Sequence, residues 1–136
     1  MKTVEAPPPR PGGRSGRGRR KRSPEALSWA FMRLSGLALV FLALIHFSIT
    51  HIVNDVVETD YDFVAERWHN PLWRLFDWAL LVLALSHGLN GLRWIVDDYV
   101  RDPGRRKAVK GLLYGVTGVL VIVGTLTILA FPSRPR

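Results

Sequence analysis

Histidines are the residues of this chain best equipped for chemistry, and three of the four lie in or beside apolar runs. His87 follows WALLVLALS and opens the run HGLNGLRWIVDDY. His46 closes LALIH, His51 comes five residues later, and His69 sits in a polar stretch. An imidazole can ligate a metal, shuttle a proton near neutral pH, or hydrogen-bond in both directions. Inside a bilayer an ionisable group costs on the order of 2.5–3.5 kcal/mol at a helix centre, so it calls for a partner.

Several partners fit. A hydrogen bond to a neighbouring helix satisfies a lone membrane histidine, and a proton relay uses it as a switch. Chelation of a bare metal ion fits less well, because no carboxylate or second histidine stands three or four positions after His87. Haem iron needs only one imidazole from each face. It also needs small residues where the flat ring passes, and Gly88 and Gly91 flank His87 at one and four positions.

The elements that must hold these residues are apolar and long. Residues 29–53 carry only Arg33, His46 and His51 as ionisable groups; residues 78–92 carry only His87; residues 111–131 carry none. A bilayer core takes about 20 residues of helix, and none of the runs alternates as a strand would. The expected fold is an all-α membrane protein with three transmembrane helices, at about 29–53, 72–99 and 109–131, in a unit spanning 27–133. Residues 1–26 are rich in Pro, Gly and Arg and are expected to be a disordered basic tail. The first run is expected to be retained rather than cleaved, for no small-x-small cleavage site follows it.

Charge sets the expected orientation. The chain carries a formal +8, and eight Lys/Arg stand in the first 26 residues. Residues 50–71 hold Arg67 against Asp55, Glu58, Asp60, Asp62 and Glu66. The next connection is basic, with Arg101, Arg105, Arg106, Lys107 and Lys110. This pattern predicts the N-terminus inside and the C-terminus outside. Topology and lipid contact account for the basic tail. No aromatic residues are interleaved there to stack on bases, so nucleic acid is not an expected partner. Without a cysteine, the chain itself offers no iron–sulfur ligand and no disulfide.

Depth follows from helix rise. Tyr99 is twelve residues after His87, about 18 Å, and His46 is thirteen after Arg33, about 20 Å. The two histidines are expected at similar or modestly different depths, His46 further out, so one group bridged between them and two separate groups both fit. Arg33, Asp98 and Tyr99 are expected to converge at the inner face. There they would bind a polar head group that takes up protons, or serve as a snorkelling arginine and an aromatic belt. Gly111-x-x-x-Gly115 and Gly118 mark one side of the third helix, for close helix contact or as tolerated glycines.

The order HGLNGLRWIVDDY (87–99) resembles the second helix of the small hydrophobic membrane anchor of succinate dehydrogenase, respiratory complex II. In that family a histidine precedes an Asp-Tyr pair by eleven and twelve residues, as His87 precedes Asp98 and Tyr99. FMRLSG (31–36) is similar to the family's start of helix 1. FVAERW (63–68) and LALIH (42–46) resemble the actinobacterial form. The likeness covers residues 28–131.

That resemblance implies a cytochrome b-type anchor in the cell inner (cytoplasmic) membrane, paired with a second three-helix membrane anchor. The pair holds the flavoprotein and iron–sulfur subunits of the enzyme at the cytoplasmic face. Succinate is oxidised on those other chains, and electrons pass to membrane quinone. His87 is implied as the proximal axial ligand of haem b. Tyr99, Asp98 and Arg33 match quinone-site positions, Arg33 also lying near the haem propionates. His46 is similar to the extra histidine of two-haem, menaquinone-reducing members, which implies a distal haem there, with His51 as its rival. The alternative from a different class is a haem-free membrane scaffold or small transporter component using its histidines for packing or proton relay.

Overall fold

The computed structural model describes residues 24–132. Helix α1 (Pro24–Ser48) runs directly into a π-helical turn (Ile49–Val53). A 3-10 turn (Val56–Glu58), α2 (Tyr61–Arg67), α3 (Pro71–Tyr99) and α4 (Pro103–Ala130) follow. Three stretches, Pro24–Val53, Pro71–Tyr99 and Pro103–Ala130, are long and apolar enough to cross a membrane. No strand occurs among the described residues. The all-α, three-span expectation is borne out, and hydrocarbon explains it: a helix satisfies every interior N–H and C=O within its own segment. The disorder expected for the tail concerns residues 1–23, which lie outside the described residues. Residues 24–26 belong to α1.

Two helix starts share one device. Asn70 and Asp102 each precede a proline, and each accepts a first-turn backbone N–H, from Leu72 at 2.9 Å and Arg105 at 2.7 Å. The side chain satisfies an orphan donor, and proline at the first helical position gives up no bond. The cap rather than hydropathy therefore sets where α4 begins, six residues ahead of the expected 109. Arg105, Arg106, Lys107 and Lys110 consequently lie on the helix, and only three residues, 100–102, join α3 to α4.

Helix α3 is the middle of a row. It packs on α1 along one side and on α4 along the other, and α1 and α4 have no comparable contact with each other. The α1–α3 seam is antiparallel and partly polar. Ser28 and Asn90 exchange hydrogen bonds of 3.0–3.2 Å, and the buried polar residues of this seam are Ser35 and Asn90. Small and hydrogen-bonding residues are what hold helices together where lipid is as apolar as leucine. Large apolar side chains such as Leu34, Phe41, Leu44, Val119 and Ile122 remain exposed, as lipid-facing or partner-facing residues must.

Of the α4 glycines, Gly124 is the one packed against α3: a Cβ there would overlap the Leu81 side chain. A Cβ on Gly111, Gly115 or Gly118 would meet nothing within 4 Å. The 111–118 glycine stripe thus meets no side chain among the described residues. Gly124→Leu is expected to overpack the α3–α4 seam and cost roughly 1–3 kcal/mol. Gly118→Leu should stay within about 0.5 kcal/mol of the parent. Thermal unfolding of the purified chain in one detergent compares the two.

Candidate functional site

His87 faces α1. Its Nδ1 lies 2.8 Å from Ser35 Oγ, and Ser35 is only 4% exposed. The Ser35 hydroxyl also lies 2.5 Å from the Phe31 carbonyl one turn earlier. Gly36 lets the ring in: a Cβ there would stand 3.3 Å from His87 Cε1, closer than a side chain sits comfortably. The expected room at Gly88 and Gly91 divides. Gly88 faces open space, whereas a Cβ on Gly91 would meet Met32 Cε at 3.6 Å.

His46 lies at a different level. Its Nδ1 is 3.4 Å from Asp77 Oδ1, close enough for an ion pair when the ring is protonated but not aligned as a hydrogen bond. That nitrogen is buried without a hydrogen-bond partner among the described residues. Asp77 precedes His87 by ten residues of α3, about 15 Å. The two histidines therefore stand at different levels of the α1–α3 seam, the wider of the two depth relations expected.

Asp77 is the centre of a compact network at this end. It accepts Arg67 Nη2 at 2.8 Å on one oxygen and Trp68 Nε1 at 2.7 Å on the other. The Asp77 and Arg67 side chains are 12% and 9% exposed. Arg74 donates to the carbonyls of Trp68 and Phe131, which ties the end of α4 to the α2–α3 corner. Beside the network, Ile49, Asn54, Phe63, Arg67, Asn70 and Trp73 line a 410 Å³ cavity. His51 is exposed nearby, stacked on Phe47 at 4.4 Å, with Nδ1 2.8 Å from Thr50 Oγ1.

At the opposite, basic end the three expected residues do not converge. Arg33 lies between Ser28, which meets Asn90, and Gly36, which meets His87. Its level is therefore that of residues 87–90, about 12 Å short of Asp98 along α3. It is exposed and stacks on Trp29, 4.1 Å from the ring centroid. Asp98 lines a 520 Å³ cavity with Glu25, Ser28, Arg93, Trp94 and Asp97. Tyr99, 81% exposed, lines a separate one with Arg101, Asp102 and Arg105. Asp97 pairs with Lys110 of α4.

Three residues of weight escaped the sequence reading. Asp77 stood one position before the run counted as apolar, though a lone acid in WRLFDWALL is itself a signal. Ser35 lay within FMRLSG without a role assigned to it. Arg93, not Arg33, shares the cavity with Asp98 and hydrogen-bonds Asn90 at 3.2 Å; choosing between them needed the α1–α3 register. No three His, Asp or Glu side chains cluster as chelators among the described residues.

Comparison with known proteins now bears on this geometry. Residues 14–128 match the family described as succinate dehydrogenase/fumarate reductase transmembrane subunit. A succinate dehydrogenase hydrophobic membrane anchor subunit of Archaeoglobus fulgidus is 36% identical over 90 residues, covering 65% of this chain and 74% of the relative. The protein of the same name from Thermoplasma acidophilum is 27% identical over 93 residues, 68% of this chain and 76% of its own length. Succinate dehydrogenase 2 membrane subunit SdhC of Mycobacterium tuberculosis is 26% identical over 100 residues, 74% and 73%. With three spanning helices and a family match over most of its length, the chain belongs to the succinate dehydrogenase/fumarate reductase transmembrane-subunit family.

Proposed function

We propose that this chain is the membrane anchor of a succinate:quinone oxidoreductase. It holds haem b together with a second three-helix anchor and serves electron transfer from an iron–sulfur protein to membrane quinone. Succinate oxidation belongs to the flavoprotein partner. The basic end of the bundle faces the cytoplasm of a bacterial or archaeal cell membrane, as expected for an end rich in Lys and Arg.

The observation that carries the reading is the His87 pocket. One ring nitrogen is held by Ser35, Nε2 has no hydrogen-bond partner among the described residues, and Gly36 makes the approach possible. A costly intramembrane imidazole with one nitrogen held and the other free suits axial ligation. Gly88, facing open space, leaves the adjoining surface flat. Haem, when bound, supplies a one-electron relay within the membrane. Arg33, level with His87, is placed for a haem carboxylate.

The quinone end in this reading spans two neighbouring cavities, one with Asp98 and Arg93 and the other with Tyr99. The Tyr99 phenol carries a donor hydrogen, Asp98 supplies a carboxyl group, and Arg93 supplies a fixed positive charge in the same cavity as Asp98. Because Tyr99 is exposed in this chain, the partner anchor completes its surroundings. Menaquinone and an outer haem go together in this reading, with His46 as the distal ligand and Asp77 as the carboxylate behind it.

An optical spectrum of the purified complex tests the proposal: a reduced b-type α band is expected, and its absence from the assembled complex favours a haem-free scaffold. The outer assignment has its own check. His46→Ala is expected to lower the haem-to-protein ratio by one haem per complex while the His87 haem stays. An unchanged ratio removes His46 as a ligand.

A further inference from the structure

Ser35 is the most buried residue on α1, and its environment decides a proton position on another helix. Its hydroxyl has one hydrogen and two neighbours, the Phe31 carbonyl at 2.5 Å and His87 Nδ1 at 2.8 Å. The carbonyl oxygen can only accept, so the short contact takes the serine proton. A second carbonyl, of Met32, lies 3.4 Å away on the same side. Back-bonding of this kind is the normal resting place of a helical serine hydroxyl. The serine oxygen is then left as an acceptor toward the imidazole, so Nδ1 must be the nitrogen that carries hydrogen.

We propose that Ser35 is a positioning residue that fixes His87 as the Nδ1–H tautomer and leaves the Nε2 lone pair free for a metal. The relay runs Nδ1–H to Oγ, then Oγ–H to the Phe31 carbonyl, and each bond polarises the next. Two consequences follow. The ring is clamped in orientation as well as in tautomer, because Gly36 holds Cε1 close. The imidazole is also made more electron-rich, as when a metal-bound histidine donates its second N–H to an acceptor. The tautomer stands on the hydrogen-bond geometry alone; its consequence for haem rests on the proposed ligation.

Two readouts separate these. Nitrogen-15 NMR of histidine-labelled full-length chain in bilayers, with the His87 signals identified by His87→Gln, reads the tautomer without haem. Wild type and Ser35→Thr are expected to carry the proton on Nδ1, and Ser35→Ala to lose that preference. A wild-type His87 protonated on Nε2 instead overturns the proposal. In the assembled complex, Ser35→Ala is expected to hold haem roughly 10–100-fold more weakly. Its haem midpoint potential should rise, because a less electron-rich ligand favours the oxidised iron less, and Ser35→Thr should restore both. Unchanged retention and potential in Ser35→Ala overturn the positioning role. Haem bound as tightly in His87→Ala as in wild type defeats the ligand assignment instead, and the NMR result still decides the tautomer. If Ser35→Ala fails to assemble, the wild-type NMR and the Ser35→Thr potential carry the test.

Discussion

His87→Ala is expected to remove the reduced b-type α band from the assembled complex, or one haem's share of it if His46 holds a second. The expectation is large because haem iron takes a single imidazole from each side, so no second ligand in this chain compensates. The nearest other intramembrane histidine, His46, stands about 15 Å away along the bundle, the rise over the ten residues from Asp77 to His87. The loss should be local to the cofactor. His87 is half-buried and meets α1 chiefly through Ser35 and Gly36, so the three helices should still insert. On the proposed division of labour, oxidation of succinate by the complex with a soluble acceptor should persist. Difference spectra of membranes, with the flavin content as a loading reference, make the comparison. A full α band in the variant removes His87 from ligation.

Asp77→Ala is expected to be the most destabilising single change, and it owes nothing to haem. Asp77 receives the Arg67 guanidinium and the Trp68 indole on its two oxygens, and the Arg67 side chain is nine-tenths buried. Removing the acid leaves a buried cation without its counter-charge, which costs about 3–5 kcal/mol. Arg67 Nε already lacks a hydrogen-bond partner among the described residues, so the guanidinium has little to fall back on. Asp77→Asn keeps the shape and one acceptor and should cost less. The double variant Asp77→Leu with Arg67→Met should recover much of the loss, since an apolar pair of similar size carries no desolvation penalty. Thermal unfolding of the three variants in the same detergent gives the order. A double variant no more stable than Asp77→Ala would show that charge burial is not the cause.

The three spans, their number and their helical nature were legible because the bilayer imposes a length and forbids strands with free edges. The start at Pro71 fell within one residue of the expected 72, whereas that at Pro103 was missed by six, because the expectation followed hydropathy and not the Asp102 cap. Register was not. Whether Arg33 or Arg93 joins Asp98 depends on how α1 slides along α3, and nothing in either helix alone reports that. The same ignorance allowed His46 and His87 to share a depth. Ser35 was hidden for a related reason: a serine in a membrane helix reads as a small residue until its neighbour across the seam is known. The α4 glycines could not be ranked from sequence either: the spaced triplet of 111, 115 and 118 faces open space, while isolated Gly124 makes the contact with α3.

The row arrangement, with α3 between two helices that scarcely meet, bears on how much of this protein a cell can keep. A closed bundle carries its stability with it, whereas here, among the described residues, α1 and α4 each pack mainly on α3 alone. The exposed flank of α1 carries Arg33, and the half-exposed His46 side chain lies further along. Such groups are expensive against lipid and tolerable against a polar or charged partner. Copies made in excess of their partner therefore sit at the unstable end of the folding balance, where quality-control proteases act on small differences in free energy. The steady-state amount of this chain should accordingly follow the supply of its partner rather than its own rate of synthesis, making the stoichiometry of the complex a property of the bundle's open edge.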